Sequence, residues 1–126
     1  MNNFAAFAEE KLDIESVSEV ERQLRCLGAN GRFTGFSYLI FIVCRELEES
    51  ITHRFLTKCI YPETAKFFGV KATSVERGIR TVVKHCWNLK DHQALDNMAG
   101  YHLESIPTNS EFIDMLVAYI RFRIHE

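Results

Sequence analysis

A chain of 126 residues, 47 % of them apolar, has the size of one domain and too many apolar side chains for a disordered protein. No run approaches the roughly 20 apolar residues that span a bilayer, so we expect no membrane partner. The net charge of −2 hides an uneven distribution: residues 54–90 hold eight Lys or Arg against two Asp or Glu, whereas both flanks are acidic. A basic block of this kind favours a local, salt-dependent contact with nucleic acid.

Residues 1–12 carry no basic leader, so we predict no signal peptide and interpret this segment as an arm or a frayed helix ahead of a domain at 13–126. Four cysteines lie singly beside apolar residues, without a C-x-x-C pair: Cys26, Cys44, Cys59 and Cys86. We interpret them as reduced core thiols of a cytoplasmic protein, with disulfides or a metal site as the alternatives.

The first predicted helix runs from Asp13 to Leu27 and is ended by Gly28. Its apolar side chains recur at spacings of three and four, as on a helix that buries one stripe: Ile14, Val17, Val20, Leu24 and Leu27. Two capping boxes compete for its start, Ser16 with Glu19 and Ser18 with Glu21.

The segment from Phe36 to about Thr52 is nearly all apolar through Cys44, a pattern that fits a buried strand or a buried helix. Its length favours a central helix against which the others pack. We predict a break at His53–Arg54 before the next element.

Two further helices are predicted on either side of Gly69. The first has Pro62 at its first position, where proline is tolerated, and ends at about Phe68. Gly69 fits the left-handed residue that closes a helix. Thr73 and Glu76 form a capping box that predicts a second helix from about Ser74 to Trp87, so the pair reads as a helix-turn-helix.

At 100° per residue, the second of these helices has a buried aliphatic face and an opposite basic face. The buried residues are Val75, Ile79, Val82 and Cys86, and the basic residues are Arg77, Arg80 and Lys84. Arginine can bind guanine with two hydrogen bonds and lysine suits a phosphate, so this face fits DNA recognition and an ordinary solvated face about equally well. The small residues Ala65, Gly69 and Val75 are spaced as in DNA-binding helix-turn-helix units.

The C-terminal part contains two more predicted helices. Asp91 is expected to cap a short helix through Met98 that Gly100 stops. Thr108 and Glu111 form a capping box for a last helix, whose buried side carries Phe112, Met115, Leu116, Tyr119 and Ile120. The sequence therefore predicts an all-α fold, a compact bundle of about six helices containing a helix-turn-helix.

Four pieces of the chain resemble the DNA-binding effector domain of the stage-zero sporulation response regulator. They are residues 35–39 (GFSYL), 57–66 (TKCIYPETAK), 74–80 (SVERGIR) with Trp87, and 100–101 (GY) with 107–112 (PTNSEF). The resemblance implies that Glu76, Arg77 and Arg80 face base edges of double-stranded DNA in the major groove. Ser74 and Lys84 would lie nearer the backbone. Thr81 stands where the family commonly has His, which removes one contact.

The resemblance also implies partners. Two such domains would pair, as a homodimer or in tandem on DNA, through the helix near residues 92–98. RNA polymerase is a further candidate partner, and a nucleoid-associated location is expected. The family has a receiver domain ahead of this one, for which 126 residues from Met1 leave no room. The chain would then be an excised domain or a free-standing relative without that switch.

Catalysis has little support in the sequence, so we expect no enzyme, no cofactor and no metal. The five histidines are scattered and form no His pair at i, i+4. His85 and Cys86 are adjacent on a helix and point about 100° apart. The remaining alternative is an interaction module that pairs with a full regulator and binds DNA weakly or not at all. Arg77 and Arg80 speak against it, because an adaptor needs neither.

Overall fold

The computed structural model describes residues 13–48 and 57–124. These residues form six α-helices and one 3₁₀ turn at Lys90–His92. The helices are α1 (Ile14–Cys26), α2 (Thr34–Glu48), α3 (Thr57–Phe68), α4 (Ala72–Trp87), α5 (Gln93–Ala99) and α6 (Asn109–Ile124). The predicted all-α bundle is confirmed. No helix in these two ranges is both long and apolar enough for a membrane crossing. The predicted arm at 1–12 and the break at His53–Arg54 lie outside the described residues.

Helix α2 is the centre of the bundle and contacts α1, α3, α4 and α6. Every residue from Tyr38 to Cys44 is buried. A helix surrounded by partners buries all its faces, which explains why this stretch is apolar without a period. Phe41 stacks on Phe67 of α3 with ring centroids 4.5 Å apart, and this contact ties α2 to the helix-turn-helix.

Helices α2 and α4 approach each other closely at two glycines, Gly35 and Gly78. A Cβ built on Gly35 would overlap the carbonyl group of Gly78 and lie 2.9 Å from the nitrogen of Ile79. A Cβ on Gly78 would lie 3.0 Å from the Tyr38 ring. Gly78 in mid-helix therefore has a packing reason, because its backbone forms part of the contact that positions α4.

Helix α1 begins before either predicted capping box, with its N-cap three residues ahead of Ser16 and five ahead of Ser18. The N-cap is Asp13, whose carboxylate accepts hydrogen bonds from the Glu15 N–H at 3.2 Å and the Ser16 hydroxyl at 3.0 Å. Both boxes, Ser16–Glu19 and Ser18–Glu21, were thus wrong, since an Asp stood nearer the first apolar residue. The predicted apolar stripe is buried except for Ile14, and Gly28 ends the helix at φ +103°.

All four cysteines are free, but only two of them lie in the core. Burial raises the pKa of the Cys86 thiol to about 12, and burial, with the carboxylates of Glu48 and Asp13, does the same for the pKa of Cys44. Cys26 and Cys59 are exposed, so the core-thiol interpretation was wrong for this pair. Cys26 is the last residue of α1 and lies off its buried stripe.

The two C-terminal helices differ in how they begin. Asp91 does not cap α5: it lies inside the 3₁₀ turn at φ 59°, and the N-cap is His92, without a side-chain cap bond. The capping box of α6 is confirmed. The Thr108 N–H donates to the Glu111 carboxylate at 2.8 Å, and the Glu111 N–H donates to the Thr108 hydroxyl at 3.1 Å. A sharp box of this kind fixes where α6 starts.

Candidate nucleic-acid interface

Helices α3 and α4 are joined by the short turn Gly69–Lys71. Gly69 has a φ of +69°, the Val70 N–H donates to the Ala65 carbonyl at 2.9 Å, and the Gly69 N–H donates to the Lys66 carbonyl at 3.3 Å. This pair of bonds is a Schellman motif, which satisfies the last carbonyls of α3 and turns the chain sharply. The predicted helix stop at Gly69 is confirmed.

The start of α3 differs from the prediction. The helix begins at Thr57, so Pro62 lies in its interior and not at its first position. Proline has no N–H to donate, and inside a helix it removes one backbone hydrogen bond.

The start of α4 also differs. Its N-cap is Lys71, with no side-chain cap bond, and the first turn is closed by the Ser74 and Val75 N–H groups donating to the Lys71 carbonyl. The Thr73–Glu76 capping box was therefore wrong. The Schellman turn ahead of α4 already sets its first residue at Ala72, which leaves Thr73 inside the helix. Both side chains are exposed and remain available to a ligand.

The two faces of α4 separate as the helical period predicts. Val75, Ile79 and Val82 are fully buried and Cys86 nearly so. The opposite surface carries five exposed residues that the sequence singled out, namely Ser74, Glu76, Arg77, Thr81 and Lys84. The Thr81 hydroxyl donates to the carbonyl of Arg77 at 3.1 Å, within the same helix.

Arg80 is half-buried and has a partner. Its Nη1 donates to the Pro107 carbonyl at 2.8 Å, across the contact between α4 and the residues that precede α6. This bond occupies one of five guanidinium N–H groups and leaves the positive charge unneutralised. In the two described ranges, no carboxylate forms an ion pair with Arg77, Arg80 or Lys84.

A groove of about 640 Å³ lies between the N-terminal halves of α4 and α6, and we call it the α4–α6 groove. It is lined by Tyr61, Thr73, Glu76, Arg77, Arg80, Thr108, Asn109 and Ser110. These residues bring hydroxyl, amide and guanidinium groups to the groove, and such groups are donors that suit phosphates and base edges.

The first turn of α6 is fastened to α4 and α3 at this groove. The Asn109 side-chain amide donates to the Glu76 carbonyl at 3.1 Å. Burial raises the pKa of the Tyr61 hydroxyl, and a side-chain hydrogen bond with Asn109 partly opposes that shift. Asn109 therefore links three helices at one side of the groove.

A second groove, of about 700 Å³, lies on another side of α6 against the connection at residues 101–107. Three acidic side chains line it, Glu104, Glu111 and Asp114. Carboxylates repel phosphate, so this groove does not suit a nucleic acid, although it is slightly larger than the first.

Comparison with known families identifies the kind of domain to which these helices belong. Residues 20–120 match the family described as sporulation initiation factor Spo0A C terminal. The chain belongs to this family. The Spo0A C-terminal family comprises helical DNA-binding effector domains of sporulation transcription regulation, so this chain is a DNA-binding domain of that type.

The structure brings the predicted residues to two places on this Spo0A C-terminal domain. Glu76, Arg77 and Arg80 line the α4–α6 groove, whereas Ser74, Thr81 and Lys84 are exposed on α4 outside it. Sequence reasoning missed the groove's other wall: Tyr61 from α3, and Thr108, Asn109 and Ser110 from the start of α6. The resemblance at residues 57–66, which include Tyr61, and at residues 107–112 was the signal that could have pointed there.

Proposed function

We propose that this domain binds double-stranded DNA in a sequence-specific way by laying α4 in the major groove. The observation that supports it most is the surface of α4 itself. Arg77 and Lys84 are exposed, and in the described ranges no carboxylate pairs with them. An unpaired cationic surface on a helix that follows a tight turn has the form of a recognition helix.

The proposed roles follow from position along α4. Arg77 and Arg80 would donate to guanine O6 and N7, and Glu76 would accept from a cytosine amino group. The Pro107 carbonyl that holds Arg80 reduces the freedom of its guanidinium before DNA arrives, which lowers the entropy lost on binding. Ser74, Thr81 and Lys84 would contact the sugar-phosphate backbone and fix the register.

Pairing and transcription partners are part of the same proposal. Helix α5 exposes Gln93, Ala94 and Asn97, small and uncharged side chains that could face a second copy on tandem sites. RNA polymerase is the proposed partner of the DNA-bound domain, and a nucleoid location follows from DNA binding.

A mobility-shift titration of a duplex carrying tandem G-containing boxes tests the proposal, with a scrambled duplex of the same composition beside it. Replacing Arg77 and Arg80 together by Ala should abolish preference for the boxes. Each lost bidentate base contact costs about 1–3 kcal/mol of binding free energy. Circular dichroism should show an unchanged helix content.

The matched control removes two arginines from another surface. Arg22 and Arg25 are exposed on α1, so Arg22→Ala/Arg25→Ala changes the net charge equally and should keep the preference for the boxes. Equal losses in the two double variants would mean that only total charge matters. Box binding that survives in Arg77→Ala/Arg80→Ala would reject the recognition helix, and capture of a full regulator without DNA would then favour an interaction module.

A further inference from the structure

Two histidines and an aspartate lie close together near the first turn of α5, where the connection from α5 to α6 passes over that helix. His92 is the N-cap of α5, Asp96 lies one turn later, and His102 belongs to the connection. His102 Nδ1 lies 2.7 Å from Asp96 Oδ2, and His92 Nε2 lies 3.9 Å from Asp96 Oδ1. One nitrogen or oxygen atom from each residue falls within 4.8 Å of the others.

These separations are close to those of ligands around one small ion. Zinc binds imidazole nitrogen and carboxylate oxygen at about 2.0–2.2 Å in a tetrahedron, whose edges are then about 3.3–3.6 Å long. The two observed separations run to different oxygens of Asp96, 2.7 Å to Oδ2 and 3.9 Å to Oδ1, and lie on either side of that edge. Rotation of the exposed His102 side chain would lengthen the shorter separation toward that edge.

The surroundings hold the three groups in place. Asp96 Oδ1 accepts the Leu103 N–H at 2.9 Å, and His92 Nε2 lies 3.2 Å from the Leu103 carbonyl oxygen. The Trp87 indole stacks on the His92 ring with centroids 3.6 Å apart and planes 11° from parallel. The Leu103 N–H and the Trp87 ring therefore orient Asp96 and His92, as neighbours of metal-binding side chains do, whereas the ion would take the place of the Leu103 carbonyl at His92 Nε2.

The cluster is also accessible from one side. The His92 and Asp96 side chains are 15 % and 11 % exposed, whereas His102 is 72 % exposed. An ion can therefore enter past His102, while the other two ligands are already oriented by the fold.

We propose that His92, Asp96 and His102 bind one divalent transition-metal ion, zinc being the best match, with a fourth position filled by water. Two imidazoles and one carboxylate are a donor set that zinc accepts. Each imidazole binds the ion in its neutral form, through the nitrogen without a proton: the ring proton of His92 moves to Nδ1 and that of His102 to Nε2 by exchange with solvent, so two neutral rings release no net proton. The ion would fasten the connection at residues 101–106 to α5 and would not touch the basic surface of α4.

The single tryptophan supplies a direct readout, because Trp87 contacts His92. The experiment titrates zinc chloride into the full chain and follows Trp87 fluorescence and the heat of binding. The parent protein carries Cys26→Ser/Cys59→Ser, which removes the two exposed thiols that could bind zinc by themselves. We expect saturation at about one ion per chain and a higher melting temperature with zinc present.

Three variants decide the outcome. His102→Ala removes an exposed ligand and should weaken zinc binding by at least the tenfold to hundredfold seen when an outer-shell partner is lost. Asp96→Asn should weaken it similarly. His85→Gln, outside the cluster, should bind as the parent does. Parent-like zinc affinity in His102→Ala, a loss in His85→Gln as large as in His102→Ala, or no saturable binding would each overturn the proposal. The three side chains would then form only a hydrogen-bonded network around Asp96.

Discussion

Arg80 illustrates how one contact can change the role of a side chain. The helical period places it on the basic face of α4, yet it is half-buried because the residues before α6 pack over that part of the helix. Its hydrogen-bond partner there is the neutral Pro107 carbonyl and not a carboxylate. The guanidinium charge of Arg80 is therefore not neutralised, although the side chain is held in place. Arg77, three positions earlier, stays exposed. The two arginines would thus bring different mobilities to the same DNA surface.

The contact of Gly35 with Gly78 yields the first prediction. Gly35→Ala would push a methyl group into the backbone of α4, and overpacking of this kind typically costs about 1–3 kcal/mol. We expect a lower free energy of unfolding in urea. We also expect weaker DNA binding, because the backbone that must shift belongs to the proposed recognition helix.

The control for this variant is Gly31→Ala in the loop between α1 and α2. A Cβ there meets no atom within 4 Å, and the residue does not have a positive φ. Stability should be unchanged or slightly higher, since Ala restricts the unfolded chain more than Gly does. Equal destabilisation by the two substitutions would contradict the importance of the Gly35–Gly78 contact.

At the scale of helices, the Thr-x-x-Glu capping-box pattern occurs near the start of two helices but forms its hydrogen bonds at only one of them. Thr108 and Glu111 form their capping box, whereas Thr73 and Glu76 do not. What precedes each helix explains the difference. Pro107 and an irregular connection leave the start of α6 to be set by its own residues, but α4 follows directly on the Schellman turn at Gly69.

This contrast makes the second prediction. Thr108→Ala should lower the free energy of unfolding by about 0.5–2 kcal/mol, because it leaves a helix N-terminus without its cap. Thr73→Ala should change the free energy of unfolding little, since Thr73 caps nothing. Chemical denaturation of the two variants side by side is the measurement. A larger loss from Thr73→Ala than from Thr108→Ala would show that the cap of α4 does form in solution.

Local chemistry explains which parts of the fold could be predicted. Gly28, Gly69 and Gly100 end helices with positive φ as expected, since a left-handed residue is a local demand that glycine meets. The faces of α4 followed from its period. The predicted helix starts at Pro62 and Asp91 were wrong. At both places the residues that precede the predicted start determine where the helix begins, and not the proline or the aspartate.

The candidate sites were less predictable because they depend on long-range packing. Asn109 reaches Glu76 across 33 residues of sequence, a separation at which no local pattern operates. His92 and Asp96 have the i, i+4 spacing that places two ligands on one helix face, which sequence alone could have noticed. His102 joins them only because the connection turns back over α5.

For the molecule as described, over residues 13–48 and 57–124, the carboxylates of the acidic flanks form no ion pair with Arg77, Arg80 or Lys84 of α4. Glu19 is held by Arg22, by Gln23 and by Arg123 of α6. Burial raises the pKa of its carboxyl, but these hydrogen bonds and charges outweigh burial and lower it. Asp96 and Glu111 are likewise engaged locally. The cationic surface of α4 can therefore act on DNA although the net charge is negative.

The last prediction concerns Lys84 and its contribution to the attraction between the cationic surface of α4 and DNA. If Lys84 contacts a phosphate, Lys84→Ala should weaken binding to boxed and scrambled duplexes alike and reduce the slope of log K against log salt by about one. Fluorescence anisotropy at several salt concentrations measures both quantities. Arg22→Ala, which removes one charge from α1, should leave the slope unchanged. A loss confined to the boxed duplex would instead place Lys84 at a base edge, because a phosphate contact carries no sequence information.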